Sequence, residues 1–206
     1  WMHFLGTSKL EWAVLLTDIQ RAVRKYANPA FTISFDCASP FLAAANGQVY
    51  HERSFPNDGR WSYRMYKCAD DKKYSTDTRK FSDAVVQDGF YKVFQDSPVS
   101  DLYKMKDICV YKPGDLNKIG KEGKTSWDSF AYALMMGHNV ECHIRAVQRA
   151  NNLADIEYAS YKPNWRQWRK VKNSDKSDER SEWVPRNILY FNRFVEELFE
   201  LKTKDE

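Results

Sequence analysis

Two short runs of β-forming residues, Met2 to Leu5 and Phe31 to Phe35, bracket one amphipathic stretch, and this spacing limits the topologies open to the chain. Leu10, Val14, Leu15, Ile19 and Val23 recur on one helical face as far as about Tyr26. Ser8-Lys9-Leu10-Glu11 has capping-box spacing at the start, and Asn28-Pro29 stops the helix. A strand-helix-strand order implies parallel strands joined by a right-handed crossover. Both strands then deliver their C-terminal ends, Gly6 and Asp36, to the same rim. The second run, FTISFDCASPF, raises a sharper question, because a strand suited to a buried sheet finishes on the carboxylate of Asp36 and meets a Ser-Pro turn within three residues. Either Asp36 caps an Asx turn with Ser39 and Pro40 or it does chemistry. The run MHFLG reads as a buried strand at the very start, and no methionine precedes Trp1, so the chain is expected to be the C-terminal part of a longer polypeptide.

Beyond the rim the texture changes. Asn46-Gly47 reads as a hairpin turn between FLAAA and QVYHE, and WSYRMYKC alternates like another strand, so an antiparallel insertion is expected. A helix over 79 to 94 ends or breaks near Gly89, a short strand covers Ile108 to Tyr111, and a Gly/Lys-rich loop follows. A long helix from Thr125 to about Asn152 has Thr125 or Ser126 as N-cap and Phe130, Leu134, Val140, Ile144 and Val147 as inward candidates. Residues 173 to 182 form a polar loop or linker. Pro185 opens a last helix with a docking stripe of Ile188, Phe191, Val195, Leu198 and Phe199.

With 206 residues, 43% of them hydrophobic, the chain can build a substantial core. No run of about 18 apolar residues exists and no signal peptide is recognisable, so no membrane partner and a cytoplasmic location are expected. Four cysteines, Cys37, Cys68, Cys109 and Cys142, lack C-x-x-C spacing, which points to reduced thiols. A net charge of +4 does not by itself argue for nucleic acid, but its distribution does. Between 161 and 172, Lys162, Arg166, Arg169, Lys170 and Lys172 are interleaved with Tyr161, Trp165 and Trp168. Cations for phosphates beside flat rings for stacking suit single-stranded or flipped-out nucleic acid. The plainer alternative is a basic amphipathic helix that packs its tryptophans on the domain.

These residues resemble the C-terminal part of the tRNA-guanine transglycosylase superfamily. The likeness rests on His3-Phe4-Leu5-Gly6, the helix, Phe35-Asp36-Cys37-Ala38-Ser39-Pro40, then Ala45-Asn46-Gly47-Gln48-Val49-Tyr50, and His138-Asn139 about a hundred residues on. It covers roughly residues 2 to 150. The resemblance implies an α/β fold: the C-terminal part of a (β/α)8 TIM-type barrel over 1 to 160, with an antiparallel β insertion and C-terminal helices. Residues 161 to 206 then supply the basic, aromatic segment, a polar linker and a docking helix. By the same resemblance Asp36 is the nucleophile that attacks the anomeric carbon, expels guanine and holds the sugar until a 7-deazaguanine replaces it. Chemistry agrees, since barrels place reacting groups at the C-terminal ends of strands and a carboxylate suits an oxocarbenium-like carbon. Leu5, Gly6, Phe35, Asn46 and Gly47 are then the substrate-binding candidates, and Lys162, Trp165, Arg166, Trp168, Arg169 and Lys170 the nucleic-acid-binding ones.

Departures from the family pattern refine this reading. Pro40-Phe41-Leu42-Ala43-Ala44-Ala45 lacks the arginines with which the tRNA enzymes grip the anticodon loop, which favours the relatives that insert 7-deazaguanines into DNA in bacteriophages and bacteria. The expected partners are therefore DNA, with tRNA as the alternative, and a free 7-deazaguanine base, and for a phage protein the location is the host cytoplasm. Such an enzyme must extrude its target base, for which the aromatic, basic surface after position 60 is suited. The family's zinc motif is not recognisable: only Cys109 lies in its region, with His138 and Cys142 further on, so no metal and no cofactor are expected, a degenerate Cys109, His138, Cys142 site being the alternative. Loss of the purine needs a proton donor, and the family's second aspartate lies in an N-terminal half that would complete the barrel. A half-barrel that binds nucleic acid without catalysis is the competing class.

Overall fold

The structure is a computed structural model. It describes residues 1–54, 61–68, 74, 76–90, 94, 96–108, 129–160, 170–171, 182–183, 191, 193–195 and 197–200. The chain divides into two compact units: residues 1–37, 54–62 and 146–206 make one, and residues 38–53 and 63–145 make the other. Each is described by itself.

The first unit opens with β1 (Met2–Phe4), α1 (Leu10–Tyr26) and β2 (Ile33–Phe35). The two strands pair in parallel with Met2 opposite Ile33, His3 opposite Ser34 and Phe4 opposite Phe35, as the strand-helix-strand spacing predicts. Helix α1 buries Leu10, Ala13, Val14, Leu16 and Ala22. Its predicted capping box does not form. The N-cap is Lys9 with no side-chain cap, and Glu11 Oε1 instead accepts the Trp61 backbone N–H at 3.0 Å. The end of α1 is built as expected from Asn28-Pro29: Asn28 Oδ1 accepts the Ala30 N–H at 2.9 Å and its carbonyl accepts the Phe31 N–H at 3.0 Å. From α1, Gln20 Oε1 accepts the Ile33 N–H at 2.6 Å and Arg24 Nε donates to the Phe31 carbonyl at 2.6 Å, so side chains cover the outer edge of β2. β1 is not the buried strand expected: Met2 and His3 are exposed, because no strand among the described residues lies on its outer edge.

Also in this unit, residues 193–195 and 197–200 are helical, with Val195 buried and the Phe199 ring stacked on Tyr26 at 6.0 Å. The predicted docking stripe therefore engages through Val195 and Phe199. Leu198, assigned to the same stripe, is 45% exposed. Residues Lys170–Val171 and Glu182–Trp183 form a short antiparallel pair, β5 and β6. Lys170 is thus in a strand, not in an amphipathic helix.

The second unit contains α2 (Ser39–Ala45), β3 (Gln48–Ser54, of which 48–53 belong here), β4 (Ser62–Lys67, of which 63–67 belong here), α3 (Phe81–Gln87), α4 (Pro98–Leu102) and α5 (Met105–Ile108). It also takes the first half of α6 (Ser129–Ser160). FLAAA is helical here, not a hairpin strand. Pro40 opens α2, three alanines carry it, and Gly47, with φ of 68°, closes it by donating its N–H to the Ala44 carbonyl at 2.8 Å. A helix C-terminus and a tight hairpin both need a left-handed residue, so Asn-Gly serves either. The antiparallel insertion does exist, but β3 pairs with β4. The Cys68 N–H just past the end of β4 bonds the Gly47 carbonyl just before β3 at 2.8 Å, which sets the strands antiparallel. α3 ends near Gly89 as predicted, through Gly89 N–H to the Val86 carbonyl and Phe90 N–H to the Val85 carbonyl. The strand expected from Ile108 is overturned at its start, where Ile108 closes α5 as a buried residue, and residues 109 to 111 lie outside the described set.

The core of this unit joins Phe81, Ala84 and Val85 of α3 with Met105 and Ile108 of α5, Leu134 and Met135 of α6, and Val49 of β3. Within it sits a polar dipeptide. His138 and Asn139 are both fully buried, and both serve the backbone of Tyr50: Asn139 Oδ1 accepts its N–H at 2.8 Å and His138 Nε2–H donates to its carbonyl at 2.7 Å. The two side chains do for β3 what a third strand would do. Asn139 Nδ2 also donates to the Pro40 and Gln48 carbonyls, each at 3.1 Å. His138 Nδ1 accepts from Ser97 Oγ at 2.7 Å, and Ser97 in turn caps α4 in a capping box with Ser100. Phe94 stacks on the imidazole at 5.1 Å. The inward face of α6 runs through Met135, His138, Asn139 and Cys142, whereas the predicted inward residue Ile144 is 47% exposed.

Burial pushes His138 down to about 4 from an ordinary 6.5, against the Tyr50 carbonyl, which favours the charged form, and with a smaller lowering from Arg145. The unfolded imidazole therefore takes up its proton first. The contribution of His138 to stability should be level above about pH 6.5 and fall between there and pH 4, by about 3 kcal/mol at the lower end. His143, also lowered by burial, adds in the same direction. Urea unfolding across this window should show the loss, and His138→Gln should flatten it. An equally steep fall in that variant would assign the effect to other groups.

Candidate active site

At the C-terminal rim of the parallel pair, the Asp36 N–H donates to the Phe4 carbonyl at 3.3 Å and the Asp36 carbonyl accepts the Thr7 N–H at 2.7 Å. Its side chain crosses to the other strand end, where Oδ1 accepts the Gly6 N–H at 2.9 Å. The rim convergence expected of Gly6 and Asp36 is thus present, and the tether is to Gly6. Gly6 has φ of 69°, a conformation that costs an L residue about 1–2 kcal/mol. Among the described residues no atom lies within 4 Å of where a Cβ would stand, so this conformation and not crowding calls for glycine.

The Asp36 side chain is 60% exposed, and its Oδ2 accepts no hydrogen bond from the described residues. It lies 3.9 Å from His3 Nε2, and His3 Nδ1 is 2.8 Å from Ser34 Oγ. Neither His3 nor Ser34 was singled out as a site residue from sequence. Their meeting shows only in the strand register, in which His3 stands opposite Ser34, while Ser34 and Asp36, two apart, share a face. Leu5, 79% exposed, and Phe35, half-buried, stand at the same rim. Asn46 and Gly47 belong to the other unit, where they cap α2. Lys162, Trp165, Arg166, Trp168 and Arg169 lie outside the described residues, and of Lys170 only the backbone is described.

The residues do not fit a zinc site. Both ring nitrogens of His138 are committed, to Ser97 and Tyr50, and Cys142 Sγ sits 3.6 Å from Nε2 as a neighbour within the same helix. Cys109 lies outside the described residues, and among the described ones no three His, Cys, Asp or Glu side chains are grouped to hold a metal ion. Among them also, no helix is long and apolar enough to cross a membrane.

No family model matches the chain, and no significantly similar curated protein or solved structure was found.

Proposed function

We propose that this chain carries the nucleophile of a base-exchange transglycosylase that replaces guanine in DNA by a 7-deazaguanine derivative, built on part of a (β/α)8 barrel. The observation that carries this reading is the state of Asp36 at the end of a parallel strand: Oδ1 is held by the Gly6 N–H, while Oδ2, on a side chain 60% exposed, accepts no hydrogen bond from the described residues. Oδ2 bonds the anomeric carbon as the bond from that carbon to the guanine ring nitrogen breaks, and guanine leaves with the electron pair and takes up a proton from a general acid other than Asp36, which the proton lost by the incoming base restores. The incoming 7-deazaguanine loses a proton, bonds the same carbon and releases the carboxylate, so the exchange is proton-neutral overall. The exposed Met2 and His3 of β1 suit a strand of a larger parallel sheet, since the faces of such sheets are normally covered.

The test incubates the chain with guanine-containing single-stranded DNA, duplex DNA and a tRNA anticodon stem-loop at matched salt and looks for an adduct that survives denaturation. DNA should give one, and added 7-deazaguanine should release it. Binding should fall steeply with salt, each charge removed among Lys162, Arg166, Arg169, Lys170 and Lys172 flattening the slope by about one unit. Trp165→Ala or Trp168→Ala should cost about 1–3 kcal/mol with little change in slope. Preference for the stem-loop moves the substrate to tRNA.

The Gly6 tether also favours a second reading, in which Asp36 only fastens the turn and the chain binds nucleic acid without catalysis. That reading expects the same salt dependence and no adduct.

A further inference from the structure

We propose that His3 is the positioning residue for Asp36, its Nε2–H aiming the open carboxylate oxygen while Ser34 fixes the ring; this rests on the transglycosylase reading of Asp36. His3 stands opposite Ser34 in the parallel register, and Asp36, two residues beyond Ser34, projects on the same face, so three side chains from two strands meet at one rim. The distances are 2.8 Å from Nδ1 to Ser34 Oγ and 3.9 Å from Nε2 to Asp36 Oδ2. An unprotonated Nε2 would set its lone pair against a carboxylate oxygen. The proton therefore belongs on Nε2, and the Ser34 hydroxyl donates to Nδ1. Trp1 stacks on the imidazole with centroids 5.9 Å apart and planes 14° from parallel, covering one face.

Asp36 is held at Oδ1 by the Gly6 N–H, and its Oδ2 lies beside the imidazole Nε2. The second contact, at 3.9 Å, is too long for a hydrogen bond and leaves the lone pairs of Oδ2 available for attack. When the glycosyl ester breaks and charge returns to Oδ2, the N–H dipole is already aimed at it. His3 forms no covalent bond and transfers no proton in this role. It acts through Asp36.

The experiment uses the full chain with His3→Phe, which keeps a ring for Trp1 but no donor, His3→Gln, which carries an amide donor near the place of Nε2, Ser34→Ala, and Asp36→Asn as the reference. The readouts are the rate of adduct formation on guanine-containing DNA and the ring nitrogen chemical shifts of His3. The wild-type ring should show the Nε2–H tautomer, and Ser34→Ala should mix the tautomers. His3→Phe should slow adduct formation about a hundredfold, and His3→Gln should recover most of the rate. Wild-type speed in His3→Phe, equal loss in His3→Phe and His3→Gln, or an Nδ1–H tautomer in the wild type would each overturn the assignment while Asp36 kept its role. A wild-type chain that forms no adduct would instead remove the transglycosylase reading itself, and this assignment with it.

Discussion

If Asp36 is the proposed nucleophile, Asp36→Asn should abolish adduct formation and base exchange, with a loss on the order of 10⁴-fold or more, and should leave the fold and any affinity for nucleic acid in place. The rim geometry explains why the two effects separate. The tether from the Gly6 N–H needs only an acceptor oxygen, which an asparagine supplies at the same position, so the turn between β1 and α1 stays closed. What the amide lacks is a second oxygen able to form an ester with the anomeric carbon. Asp36→Ala behaves differently, since it removes the acceptor as well and should cost about 1 kcal/mol of stability at this exposed site. Thermal unfolding followed by circular dichroism, beside denaturing gels of the trapped complex, measures both quantities. Exchange retained in the asparagine variant would end the proposal that Asp36 is the nucleophile.

Asn139→Ala should destabilise the protein by about 3–5 kcal/mol, a large part of the 5–15 kcal/mol that typically separates folded from unfolded chains. One side chain here serves three backbone groups, accepting from the Tyr50 N–H and donating to the Pro40 and Gln48 carbonyls, in a position with no exposure to solvent. Truncation leaves the Tyr50 N–H and the Pro40 carbonyl without these bonds in the interior, and the Gln48 carbonyl without its bond at a half-buried position, and a buried group without its partner costs about 1–3 kcal/mol. Asn139→Asp should be at least as damaging, because a carboxylate presents only acceptors to the two carbonyls. Urea unfolding midpoints at fixed slope provide the measure. A loss below about 1 kcal/mol would show that water enters to replace the amide.

Local signals accounted for a good deal of what was found. The β1–α1–β2 unit, its parallel sense and the meeting of Gly6 with Asp36 follow from apolar spacing, from Asn28-Pro29 and from the handedness of a crossover. The close of α3 at Gly89 and the long helix α6 were legible in the same way. Asn46-Gly47 announced a left-handed backbone position correctly, but only the helix preceding it, with its opening proline and three alanines, decided between a hairpin and a helix cap.

Partner choice was decided in three dimensions. Glu11 has capping-box spacing from Ser8, but in the fold it accepts the N–H of Trp61, fifty residues away, which competes for the same carboxylate. Along α6, an inward face read from apolar residues placed Ile144 inside, whereas His138 and Asn139 hold the buried stripe because their polar atoms are matched by Tyr50, Ser97, Pro40 and Gln48. His3 beside Asp36 is of the same kind, since their meeting depends on the register between two strands and not on either strand alone. Periodicity reports which way a residue faces relative to its own element. Which group waits on the other side, and hence whether a polar residue is buried at a cost or as half of a hydrogen bond, depends on chain segments that only folding brings together.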